Sequence, residues 1–157
     1  MINNASAFYP TPVREISDEH WNELLNINLK APLFLSQLAA ESLRKNHGSI
    51  INIADTHAYR PLAEHTVYCI SKAGMLMLTQ SLARELAPIS VNAIAPGAIT
   101  CHEGMDEESK RSILEHTSLK KTGSMEDISK TALFLIKDAD YITGQVINVD
   151  GGRTLYS

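Results

Sequence analysis

Apolar residues return along this chain in two rhythms. Over residues 17–45 the spacing is three or four, the period of a helix: Trp21, Leu24, Leu25 and Asn28 share one face, and Leu35, Leu38, Ala39 and Leu43 continue an apolar stripe. Ser17 is placed to cap that helix, with Asp18 and Glu19 in the first turn, where carboxylates suit the helix dipole. Pro32 is expected to kink it, because proline has no N–H for the carbonyl four residues back. Gly48 is the expected stop. Residues 49–54 (SIINIA) break the rhythm with a continuous apolar, β-branched run, which predicts a buried strand. A second long helix is expected over 64–86, with Pro88 just past its end. Residues 90–95 (SVNAIA) form a second strand closed by Pro96-Gly97, and 145–149 a third before Asp150-Gly151-Gly152. Between them, 101–121 reads as a polar loop with a short helix and 125–136 as another helix. The opening segment, with Pro10 and Pro12, reads as loop.

Strands alternating with helices imply parallel strands joined by right-handed crossovers, a doubly wound α/β sheet of the Rossmann kind. Parallel sheets need both faces covered. Three strands are few for such a sheet, which implies that the chain holds part of a larger one.

Composition narrows the class. The 157 residues are enough for one domain with a core, and 44% hydrophobic with 20% charged is the balance of a globular protein. A net charge of −4 leaves no basic footprint for nucleic acid. No apolar run approaches a membrane span, and the Met1-Ile2-Asn3-Asn4 start has neither a basic nor an apolar leader region, so a cytoplasmic protein is expected. Cys69 and Cys101 form no CxxC pair and no zinc spacing; both are expected to be small, partly buried side chains, and no metal site is expected.

Tyr68 and Lys72 lie four apart on the second long helix and so project from one face. A nearby ammonium lowers the pKa of a phenol, which suits the Tyr for passing a proton while hydride arrives from elsewhere. Such a pair also occurs by chance on helices without chemistry. Asp55 stands just past the end of the SIINIA strand, at the sheet edge where ligands of open α/β sheets collect, and the loop after it leads into the Tyr68 helix. A plain turn or cap carboxylate is the ordinary role for an Asp there.

Taken together, Asn3-Asn4-Ala5-Ser6, Asn28 in NINLKAP, Asp55 thirteen residues before Tyr68, YCISK, VNAIAPG and TGQVINVDGG occur in the order and at the intervals of the short-chain dehydrogenases/reductases. The resemblance covers essentially all 157 residues. Two departures narrow it. Asp55 stands where the family normally has a catalytic Ser, and the opening NNASAFYPTP is similar to that of pteridine reductases and dihydromonapterin reductases. The resemblance implies Tyr68, Lys72, Asp55 and Asn28 as catalytic residues, Asn28 holding a water in a relay to Lys72. It implies Asn4, Ala5, Ser6, Tyr68, Lys72, Pro96, Gly97 and Ile99 at the cofactor, and Ser6, Phe8, Asp55 and Tyr68 at a pterin. It further implies NADPH as cofactor, a pterin or dihydrofolate as substrate, and a homo-oligomer, a tetramer in the family, packed through the two long helices. A closed apolar pocket would raise the pKa of Asp55 and make it a proton source. Phe8 is expected as an aromatic platform for the flat substrate ring, with a core anchor as its other role.

The chain has no GxxxGxG, the turn that cradles the cofactor pyrophosphate in the family. It is therefore expected to be a single incomplete domain, 1–157, that starts inside the family's fourth strand and lacks the cofactor-binding opening. Three readings follow: the catalytic part of a pterin or dihydrofolate reductase, a carbonyl or alcohol reductase, or a truncated product that only associates with partners. Asp55 speaks against the second, since a carboxylate suits a basic ring nitrogen better than a carbonyl oxygen.

Overall fold

The computed structural model describes residues 1–99 and 106–156. Four parallel strands lie side by side in chain order: β1 (Ile2–Asn3), β2 (Ser49–Ile53), β3 (Ser90–Pro96) and β4 (Val146–Val149). Helices α1 (Asp18–Leu25) and α2 (Ala31–Lys45) connect β1 to β2, and α3 (Thr66–Glu85) connects β2 to β3. Helices α4 (Glu107–Glu115) and α5 (Met125–Lys137) precede β4. The expected doubly wound α/β architecture is present, and the opening Ile-Asn adds a fourth strand in register with Ile51 and Asn52.

The two central strands carry no alternation of polarity because both of their faces are covered. Ile50 and Val91 pack toward α2 and α3, with Leu82, Leu43 and Leu78. Ile51 and Ile94 pack on the opposite face against Ala132 and Leu135 of α5. All four are fully buried, at about 1.5–3 kcal/mol for each large side chain removed from water.

The first long helix departs from its expected course. Asn26–Lys30 is a π-helical turn between α1 and α2. Pro32 has no N–H to give to the Asn28 carbonyl, and the ladder widens by one residue there. The buried positions are then Leu24, Asn28, Pro32 and Ser36, a spacing of four. Trp21, Leu35 and Leu38, which the pattern placed on the apolar stripe, are 44%, 52% and 79% exposed. The richest apolar stripe of this helix therefore faces outward, and a Ser takes the inner position. Ser17 does cap α1, with the His20 side chain returning a bond to its backbone N–H.

Candidate active site

The carboxyl ends of β2 and β3 deliver the expected residues to one edge of the sheet. Asp55 follows β2 after one residue, and its carboxylate has two tasks. Oδ1 accepts from the backbone N–H of His57 at 2.7 Å, capping a short 3-10 turn (Thr56–Ala58), and lies 2.7 Å from His57 Nδ1. Oδ2 accepts the hydroxyl of Tyr68 at 2.6 Å. One side chain thus both caps the turn and holds the Tyr68 hydroxyl. Lys72, one turn beyond Tyr68 on α3, is buried; its ammonium donates to the Ile53 carbonyl at 3.1 Å and lies 5.7 Å from the Tyr68 ring centroid.

Two electrostatic expectations are overturned. Burial raises the pKa of Tyr68, and the Asp55 charge and hydrogen bond raise it further, so its phenol is held far above its ordinary value instead of being lowered by Lys72. Burial also acts upward on Asp55, but the bonds from His57 and Tyr68 outweigh it, and its carboxyl sits below the usual range. Asp55 is therefore an ionised acceptor and not a proton reservoir. Burial depresses Lys72, partly offset by the Asp55 charge.

Asn28 is fully buried, and its side chain is saturated by protein. Oδ1 accepts from Ser6 Oγ at 3.1 Å and Ala7 N at 2.8 Å, and Nδ2 donates to Ala7 O and Ser71 Oγ, each at 3.0 Å. It clamps the loop after β1 to α3. A water relay through Asn28 would have to use its main-chain carbonyl, the one that Pro32 leaves without an α-helical donor. Asn4, Ala5 and Ser6 run exposed along this edge.

Phe8 is 57% exposed, which excludes the core-anchor role. Its ring stacks on His65 with centroids 4.7 Å apart and meets Tyr68 edge-to-face at 4.8 Å. At the end of β3, a Cβ on Gly97 would lie 2.6 Å from the Asp150 Cβ, so only glycine lets the two segments touch. Ile99 pairs with Gly123 in a parallel bridge. Sequence reasoning passed over His57, which contacts Asp55, and His65, which stacks on Phe8; the His two residues after a strand-end Asp was the available signal. Cys69 is a buried thiol beneath the loop, 3.3 Å from the Leu62 N–H that donates to it, and Cys101 lies outside the described residues. A larger cavity, about 670 Å³, lies between α5 and the segment Ile147 to Gly152, and none of Asp55, Tyr68 and Lys72 lines it. Among the described residues, no helix is long and apolar enough to cross a membrane, and no cluster of His, Cys, Asp or Glu is arranged to hold a metal ion.

A family model described as enoyl-(acyl carrier protein) reductase matches residues 1–154. The chain is 37% identical over 158 residues to a 3-oxoacyl-(acyl-carrier-protein) reductase of Buchnera aphidicola, and 33% identical over 161 residues to an L-xylulose reductase of Caenorhabditis elegans. Each match covers 97% of this chain and 64% of the relative, so the chain spans somewhat under two thirds of their length. Among solved structures, a 4-hydroxyisoleucine dehydrogenase complexed with NADH superposes with a TM-score of 0.89 at 33% identity, over 99% of this chain and 69% of that one.

Proposed function

The chain belongs to the short-chain dehydrogenase/reductase family, and from that premise we propose that it carries the proton-handling part of a nicotinamide-dependent reductase acting on a pterin or dihydrofolate. One observation supports this reading above the others. The Tyr68 hydroxyl is bonded to a carboxylate, Asp55, under the exposed ring of Phe8. A flat heteroaromatic ring would stack on Phe8 and present a ring nitrogen to the phenol.

The residues present fit the nicotinamide end of such a cofactor. Lys72 makes a single hydrogen bond, which leaves N–H groups for ribose hydroxyls. Asn4, Ala5, Ser6, Pro96, Gly97 and Ile99 line the same sheet edge. When bound, the cofactor supplies hydride; NADPH is the form the resemblance favours.

Tyr68 donates its proton to the ring nitrogen. Its raised pKa keeps the phenol protonated in the resting site, the state a reductase needs. Asp55 stays ionised and aims the hydroxyl. His57, with about a quarter of its side chain exposed, is bonded to the other Asp55 oxygen and helps fix the carboxylate against the hydroxyl. Asn28 holds the loop that carries Phe8. The outward apolar faces, Leu33 to Leu38 on α2 and Ile70 and Met77 on α3, suit packing against a second copy.

A second reading, reduction of a ketone or the reverse oxidation of an alcohol, is favoured by the names of the relatives, whose substrates are acyl thioesters and sugars. The deciding experiment assays the full-length protein with NADPH and NADH against dihydropterin, dihydrofolate and a 3-oxoacyl thioester. Turnover of the thioester without turnover of either pteridine would overturn the pterin reading.

A further inference from the structure

The opening loop alternates between inward and outward residues. Ala7 and Tyr9 turn in against the cluster of Leu24, Val67 and Tyr68, Thr11 is fully buried, and Phe8 and Pro10 face out. A period of two belongs to extended backbone, so the register of the segment decides which way Phe8 points, and a slip of one residue would turn its ring inward. Two attachments hold that register. At one end, Ser6 Oγ and Ala7 N donate to Asn28 Oδ1. At the other, Thr11 pairs with His65 in a parallel bridge, donates its N–H to the Glu64 carbonyl at 2.5 Å, and accepts the Val67 N–H on Oγ1 at 3.3 Å.

The second attachment reaches the start of α3. The first N–H groups of a helix have no partner within it, and His65, at the N-cap, gives no side-chain bond. Thr11 supplies an oxygen there from 56 residues away in sequence, to the N–H just before Tyr68. Glu64, whose carbonyl Thr11 bonds, stands at φ 60, a left-handed conformation that costs a non-glycine residue energy. Pro10 and Pro12 flank Thr11. Each locks its own φ, −54° at Pro12, and holds the residue before it extended, so the segment has little backbone freedom to lose when the attachment forms. Beside it, His65 Nδ1 lies 2.8 Å from the Ala63 carbonyl, which fixes the imidazole on which Phe8 stacks.

We propose that Thr11 is a positioning residue of the site: it clasps the opening loop to the start of α3 and so sets the Phe8 ring, stacked on His65 and edge-to-face with Tyr68, as the face on which the substrate ring docks. The inference rests on the reductase reading for the identity of that ring, and it deepens the reading. The selection of a flat ring is governed from Thr11, a buried residue that itself touches no substrate.

The test combines steady-state kinetics of the full-length protein on dihydropterin with NMR of the His65 ring protons, which lie in the ring current of Phe8. Thr11→Val keeps the shape of the side chain and removes the hydroxyl. It is expected to raise KM about tenfold, to leave kcat within about threefold, and to move the His65 resonances toward those of free histidine. Thr11→Ser restores the oxygen and is expected to return both readouts; a merely structural residue would lower the melting point and leave KM per folded molecule unchanged. A KM within about twofold of wild type in Thr11→Val, a fall in kcat alone, or a Ser variant no better than Val would overturn the proposal. Should Thr11→Val lose cooperative unfolding, Pro12→Ala decides, since it frees the backbone and keeps the hydroxyl: a raised KM upholds the clasp and a wild-type KM overturns it. No turnover of dihydropterin by the wild type sinks the reductase reading, and the His65 resonances then decide alone, displaced in Val and restored in Ser if the clasp holds, unmoved if it does not. Turnover of dihydropterin with unchanged KM and unmoved resonances in Thr11→Val keeps the reductase reading and removes the clasp.

Discussion

Two polar networks lie within the same sheet and differ in how completely they are satisfied. Inside the sheet, Asn3 Nδ2 donates to Asn52 Oδ1 at 2.8 Å, Asn52 Nδ2 to Thr79 Oγ1 at 2.9 Å, and Thr79 Oγ1 to the Met75 carbonyl at 2.8 Å. Asn92 likewise donates to Ile142 O and accepts from Gln145 N. Each chain of bonds ends on protein, and Asn52, Thr79 and Asn92 are fully buried. At the rim satisfaction is uneven: Asp55 is fully engaged by His57 and Tyr68, Lys72 makes one bond, and Arg153 Nη1 is buried without a partner. The difference separates polar residues completed within the fold from polar residues at the edge of the sheet that are not, and a buried polar group is costly unless a partner completes it.

The comparison can be broken most sharply at Tyr68. Tyr68→Phe removes the proposed proton donor and is expected to lower kcat by about 10²–10⁴-fold with little change in unfolding midpoint, read by steady-state kinetics and thermal melts. Asn52→Ala is the mirror image. It strands Asn3 and Thr79 inside the sheet and is expected to cost about 1–3 kcal/mol of stability by denaturant unfolding, with kcat per folded molecule unchanged. If Asn52→Ala cuts kcat while stability holds, the two networks are not separate.

Phe8→Ala tests the rim from its apolar side, with an expected loss of about 1–3 kcal/mol in pteridine binding and an unchanged melt, because the ring is more than half exposed. An unaltered Kd would remove Phe8 from the site.

The smallest effect is electrostatic. The folded Tyr68 pKa lies above its ordinary 10.0. The held proton therefore stabilises the fold below about pH 10, and that contribution is lost as pH rises through the folded value. Asp55→Asn removes a charge and is expected to bring the phenol back down, seen as earlier tyrosinate absorbance in alkaline titration. A later or unchanged Tyr68 titration would show that Asp55 does not hold the proton.

Much of this was legible along the chain. SIINIA and SVNAIA read as buried strands because both faces of a parallel sheet are covered. Ser17 read as a cap because its oxygen has local N–H groups to accept. Tyr68 and Lys72 read as neighbours because four residues make one helical turn. The inward register of the first long helix was not legible: Leu35 and Leu38 outscore Ser36 on any apolar scale, and only the π turn ahead of Pro32 rotates Ser36 inward.

The sequence by itself determined the order of strands and helices, the parallel sheet and the residues brought to its carboxyl edge, because those follow from local period and spacing. Tertiary structure alone decided the protonation logic of the site. Burial pushes the Tyr68 phenol up, and the 2.6 Å contact with Asp55 pushes it further, while the Lys72 ammonium faces the ring and bonds to Ile53. Tertiary structure likewise brought Arg153, almost a hundred residues away along the chain, to the turn that follows Asp55. Distances across a fold are set by packing, and no spacing along the chain encodes them.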